Sequence, residues 1–177
     1  KTENNWQNLP LPNKPLEHQI FLIGDVAGHE QTGTNNTLQL LQPKLAQAGK
    51  NSSIIFLGDD INPTALASNN PSEKREGNLL INHQLDFLKD FSGKTIFIPG
   101  NEEWSSVKGG EAWYAKEKWM KSYLGKGVSF IPDNGCSGPE VKELSVTTVM
   151  IAIDSQWYLE DWDDKKGINE ACEIRTR

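Results

Sequence analysis

Three apolar stretches of strand length, each closed by Gly followed by Asp or Asn, constrain the fold of this 177-residue chain more than any other feature. They are Phe21-Leu22-Ile23-Gly24-Asp25, Ile54-Ile55-Phe56-Leu57-Gly58-Asp59-Asp60 and Ile96-Phe97-Ile98-Pro99-Gly100-Asn101-Glu102-Glu103. A run of β-branched and aromatic residues ended by Gly reads as a buried strand meeting its loop. Helical periodicity fills the intervals. Residues 37–47 set Leu38, Leu41 and Leu45 on one face, with Pro43 expected to kink or divide the helix. Residues 78–91 carry Leu79, Leu80, Leu85, Phe87 and Leu88 and stop at Ser92-Gly93, and residues 111–124 carry Trp113, Tyr114, Trp119 and Tyr123. Further strands are expected at 127–131, 141–144 and 146–153, and a polar surface loop at 62–77. Alternating strands and helices followed by hairpin-like strands predict an α/β sandwich.

In an open α/β sheet, ligands collect at the carboxyl ends of the strands. Asp25, Asp59 and Asn101 would then bring hard oxygen ligands to one edge. Such a set reads as a divalent-metal site, or as what is left of one.

Gly-Asp, Gly-Asp-x-x and Gly-Asn-x-Glu, in order at three strand ends, resemble the motifs of the calcineurin-like metallophosphoesterases. The likeness is greatest to the purple-acid-phosphatase-like bacterial branch and runs from about Gln19 to Trp162. Leu57-Gly58-Asp59-Asp60-Ile61-Asn62-Pro63 and Pro99-Gly100-Asn101-Glu102-Glu103-Trp104 are similar to that family's second and third motifs. The resemblance implies a two-sheet α/β sandwich, incomplete at its C-terminus. Residues 16–177 are then expected to be the first half to two thirds of a metallophosphoesterase-like domain, while residues 1–15, rich in Asn, Leu-Pro and Asn-Lys-Pro, read as a flexible leader. The resemblance also implies roles. Asp25 would bind one metal, Asp59 would bridge two and Asn101 would bind the second, while Glu103 would orient neighbours.

Departures from the family pattern are as informative. The residue after the motif Asn is normally a His that contacts phosphate and protonates the leaving group, and here it is Glu102. The second-motif Tyr of some members is Asn62, and the first-motif His of others is Ala27. His18, His29 and His83 are the chain's three histidines, so no later Gly-His-x-His segment follows. Two metals roughly 3.5–4 Å apart clamp a phosphoryl group and generate hydroxide from bound water. Mn, Fe and Zn centres of this kind mix carboxylates with imidazoles, whereas oxygen ligands alone suit Mg or Ca. Glu102 also adds negative charge beside a negative substrate, and a general acid there ordinarily contributes about 10²–10⁴-fold. Impaired turnover is therefore expected, with the divalent metal weakly held or absent.

Each residue also has a structural reading. Asp25 is equally a turn or cap residue, Asp60 and His29 are ordinary surface-loop residues, and His18 and His83 are packing or solvent-facing. The six tryptophans read as packing around irregular loops, with a sugar or partner platform as the alternative. The acidic and aromatic stretch at 154–164 reads as another edge loop, or as a docking segment.

Composition bounds the partners. A net charge of −6 and a pI near 5.1 argue against a nucleic-acid groove, which needs a basic patch. No apolar run approaches the roughly 18 residues of a membrane span. Two cysteines without a C-x-x-C spacing, Cys136 and Cys172, leave two readings: buried thiols in the cytosol, or one disulfide worth about 2–4 kcal/mol in an oxidising compartment. The envelope-like resemblance favours the disulfide. Two functions follow from the whole. One is a degenerate phosphoesterase domain acting as an interaction module in an exported assembly of the periplasm, outer membrane or cell surface. The other is an active phosphomono- or diesterase whose missing His ligands come from sequence beyond Arg177.

Overall fold

The computed structural model describes residues 13–24, 36–59, 70–86, 88–105, 110–125, 128–133 and 136–159. Four strands, β1 (Gln19–Ile23), β2 (Ser52–Phe56), β3 (Lys94–Phe97) and β4 (Val128–Phe130), form one parallel sheet in the order β1-β2-β3-β4. The connecting helices are α1 (Asn36–Gln47), α2 (Pro71–Asp86), the short α3 (Asn101–Ser105) and α4 (Gly110–Leu124). A hairpin of β5 (Glu140–Glu143) and β6 (Val149–Ala152) follows, then a 3₁₀ turn at Trp157–Leu159. The α/β class is as expected from the alternation.

Strand order explains how the layers form. Each strand adds to the same side of the last, and right-handed crossovers then place successive helices on one face. That face holds the main core: Ile23, Ile54, Phe56, Phe97 and Phe130 from the sheet against Leu38, Leu45, Leu85 and Met120 from the helices. Phe56 stacks on Phe97 at 4.6 Å and Phe97 on Phe130 at 5.1 Å, giving an aromatic row across three neighbouring strands. The opposite face packs Ile55, Ile96 and Ile131 against Leu144 and Ala152 of the hairpin.

Each apolar run was expected to be a buried strand. All five residues of β2 are buried, but β1 alternates, with Ile20 and Leu22 exposed on the hairpin side. Among the described residues, the hairpin covers β2 and β3 and leaves Ile20 and Leu22 of β1 exposed on that face. Hydrophobicity alone does not reveal where a covering layer stops.

Several boundaries also differ. Helix α2 begins at Pro71, so residues 71–77 are helical rather than part of a loop, and it ends at Asp86 instead of 91. Asn70 caps it: its Oδ1 accepts from Ser72 N–H at 3.0 Å, and its Nδ2 donates to Glu73 at 3.1 Å. Leu88 and Phe91 still pack on the core, from irregular turns after the helix. Pro43 does not divide α1, because Leu38 before it and Leu45 after it are both anchored in the core. The last strand starts at Val149 rather than 146, since residues 145–148 form the hairpin turn and leave Val146 fully exposed. Residues 62–69 of the expected loop lie outside the described residues.

Candidate metal centre

The strands end in step, and this brings the second and third motifs together. Beyond the sheet, Leu57 N–H donates to Ile23 O at 2.7 Å, Ile98 N–H to Phe56 O at 2.9 Å and Ile131 N–H to Phe97 O at 2.9 Å. The carboxyl ends of β1, β2, β3 and β4 therefore lie side by side along one edge. The strand order does not reverse among the described residues, so this edge has no switch-point crevice of the doubly wound kind. What joins the second and third motifs is direct contact between their loops.

That contact has the form of a capping box split between two loops. Gly100 precedes α3, Glu102 and Glu103 lie in its first turn, and Gly100 has no side chain with which to cap. Asp59 supplies the missing acceptor from the neighbouring loop, its Oδ1 taking the Glu102 N–H at 2.9 Å. Glu103 completes the reciprocal half. Its Oε2 accepts from Gly100 N–H at 2.7 Å and from Asp59 N–H at 3.2 Å. Asp59 holds a left-handed φ of +50°, a region that Asp tolerates better than most side chains. Glycine is required at both hinges: a Cβ on Gly58 would overlap the Gly100 backbone, and one on Gly100 would overlap the Asp59 carboxylate.

Glu103 is fully buried and pairs with the equally buried Lys116 of α4. Burial alone would push the Glu103 carboxyl up. The Lys116 ammonium and the two backbone N–H donors outweigh it, and the group sits below the ordinary glutamate range. Behind this pair, Trp104 Nε1–H donates to Asp154 Oδ2 at 2.7 Å and Trp157 N–H donates to Asp154 Oδ1 at 3.1 Å. Burial raises the Asp154 carboxyl against these donors, and the nearby Glu103 charge adds to the rise. Asp154 and Trp157 thus face inward, tying the end of the hairpin to α3, while Tyr158 and Leu159 are exposed and residues 160–164 of the expected edge loop lie outside the described residues.

The expected ligands divide. Asp59 and Asn101 come together at the junction, with Asn101 and Glu102 exposed and Asn101 Nδ2 donating to Glu102 Oε1 at 3.3 Å. Asp25, Asn62 and Asp60 lie outside the described residues, as do Ala27, His29 and Cys172. His18 is engaged away from the edge, with its Nε2 2.9 Å from Ser53 Oγ. No three His, Cys, Asp or Glu side chains cluster as a metal-holding group among the described residues. Asp59 and Asn101 offer carboxylate and amide oxygen without an imidazole, a donor set that fits a hard cation better than Zn or Fe. Cys136 is half-buried, and no free cysteine occurs among the described residues.

Lys116 and Asp154 were not foreseen as parts of this junction. Lys116 had a signal in the sequence: it shares the helical stripe of Met120 and Leu124, where a core residue belongs. Asp154 had none, because its partner Trp104 is remote in sequence.

No family model, no curated protein and no solved structure matches this chain.

Proposed function

We propose that this chain is a degenerate calcineurin-like metallophosphoesterase domain of an exported, envelope-associated protein, retained as an interaction module rather than as an efficient hydrolase. The observation that carries the reading is the junction of Asp59 with Asn101-Glu102: two motif loops in contact, with a carboxylate where the phosphate-contacting imidazole belongs. Asp59 and Asn101 would hold any cation there, with Asp25 as the third ligand the resemblance implies. A bound divalent ion would supply Lewis acidity, and the Asp59 carboxylate and Asn101 amide oxygen would hold it. Glu102, exposed beside them, works against phosphate binding, because it places a negative charge where the substrate carries its own. The binding partner is a protein of the envelope assembly. The acidic charge of the chain argues against nucleic acid, and no helix among the described residues is long and apolar enough to cross a membrane.

A second reading keeps catalysis: the intact contact between the loops would serve a dinuclear Mn, Fe or Zn centre completed by His ligands from beyond Arg177. Elemental analysis of the longest natural form, beside Asp59→Asn, separates the two. Asn retains the oxygen that caps Glu102 N–H and removes the charge that a cation needs. Little metal retained through purification in either protein, as a weak oxygen-only site implies, and no phosphoester turnover, is the expected result. About two transition-metal equivalents lost in the variant, with hydrolysis by the parent, would overturn the module reading. A Cys136–Cys172 disulfide belongs to the same proposal. Thiol labelling of the untreated native protein should find neither residue, and labelling of both would remove the support for export.

A further inference from the structure

We infer that Lys116 is a positioning residue of the candidate metal centre, acting through the Glu103 carboxylate on the backbone of Gly100 and Asp59. This rests on the reading that the edge formed by Asp59 and Asn101 receives a cation. Lys116 and Glu103 are both fully buried, and their side chains pair within the interior between α3 and α4. A buried ion pair is weak support for stability as such, because a well-packed apolar pair of similar volume commonly does as well or better. Glu103 does something that an apolar residue would not. One oxygen meets Lys116, while the other accepts the N–H groups of Gly100 and Asp59, which belong to different motif loops.

Those two N–H groups have little room to find other partners. The Gly58 and Gly100 backbones approach too closely for any Cβ, and Asp59 sits at positive φ. A residue in that conformation persists when its surroundings over-determine it. Asp59 is held twice, by its own N–H on Glu103 and by its carboxylate on Glu102 N–H. Lys116 holds one oxygen of the buried Glu103 carboxylate, at the point where both loops depend on the other. The placement of the Asp59 carboxylate on the Glu102 N–H therefore depends, through Glu103, on a buried lysine of the next helix.

A double substitution separates positioning from packing. Amide hydrogen exchange would be followed by NMR in the metal-free full chain, and Mn²⁺ affinity by the electron paramagnetic resonance of the free ion. The proteins are the parent, Lys116→Met and Glu103→Leu/Lys116→Met. Lys116→Met should speed exchange at Gly100 and Asp59 at least ~10-fold more than at the core strands β2 and β3, and weaken Mn²⁺ by a similar factor. The double variant should recover the protection of β2 and β3 while Gly100 and Asp59 stay fast and Mn²⁺ stays weak. Recovery of Gly100, Asp59 and Mn²⁺ affinity together with the core would overturn the positioning role and leave an ordinary ion pair. If Lys116→Met alone does not fold, the double variant against the parent gives the same decision. A parent that binds no Mn²⁺ overturns the cation reading and Lys116's role in it. A parent that binds Mn²⁺, with Gly100 and Asp59 moving only in step with the core, overturns the inference about Lys116 alone.

Discussion

Gly100 shows how much one hydrogen atom in place of a methyl group can decide. A Cβ there would occupy the space of the Asp59 carboxylate, so Gly100→Ala must push the second motif loop off the third. The expected loss is about 1–3 kcal/mol in urea unfolding, larger than for Gly49→Ala, where nothing stands in the way. Asp154 makes a second prediction at this scale. Its folded-state carboxyl is raised above the ordinary 3.8, so the native protein holds that proton more tightly than the unfolded chain. The stability it contributes is present below 3.8 and is lost as pH rises through the folded value. Asp154→Asn removes this dependence and leaves one of two buried donors, Trp104 Nε1–H or Trp157 N–H, without an acceptor. That orphan costs about 1–3 kcal/mol. The gap between parent and variant should narrow as pH rises from 3.8 toward 7. A gap that widens over this range would contradict the raised carboxyl.

Elements depend on devices that a sequence states locally. Asn70-Pro71-Ser72-Glu73 is a complete helix start, with a cap, a proline in the first turn and an acid three residues after the cap. The stretch before Asn78 lacks apolar periodicity, so it reads as a polar loop in spite of this start. Asn70→Ala should lower stability by about 1 kcal/mol, with faster amide exchange confined to the first turn of α2. Helix α1 illustrates the opposite case. Pro43 predicted a break, and packing of Leu38 and Leu45 against the sheet overrode it. A local breaker of about 3 kcal/mol is offset when residues on both sides of it are buried.

At the scale of the molecule, the two faces of the parallel sheet are unequal. Phe97 is fully buried and stacks on both Phe56 and Phe130, so Phe97→Ala should cost about 3–5 kcal/mol by denaturant unfolding. Leu22 lies on the other face at the edge strand and is 64% exposed. Leu22→Lys should therefore change stability by less than about 0.5 kcal/mol, whereas the same change at its register partner Ile55 places an unpaired charge in the core. A large loss at Leu22 would mean that this face is covered in solution. All four strands end at the same edge, so the position of the candidate centre follows from parallel pairing in register.

The local pattern determined that this chain is α/β, where its three motif strands lie, and which Asp and Asn residues stand at their ends. Those are short-range facts, set by apolar runs, glycine and turn chemistry. Only the tertiary structure decided that Asp59 caps a helix belonging to another loop, that Glu103 joins both loops while paired with Lys116, and that the hairpin stops short of β1. Each of these depends on residues far apart in sequence meeting at one point. Such a meeting is governed by the register and packing of the whole sheet, and no local window of sequence contains it.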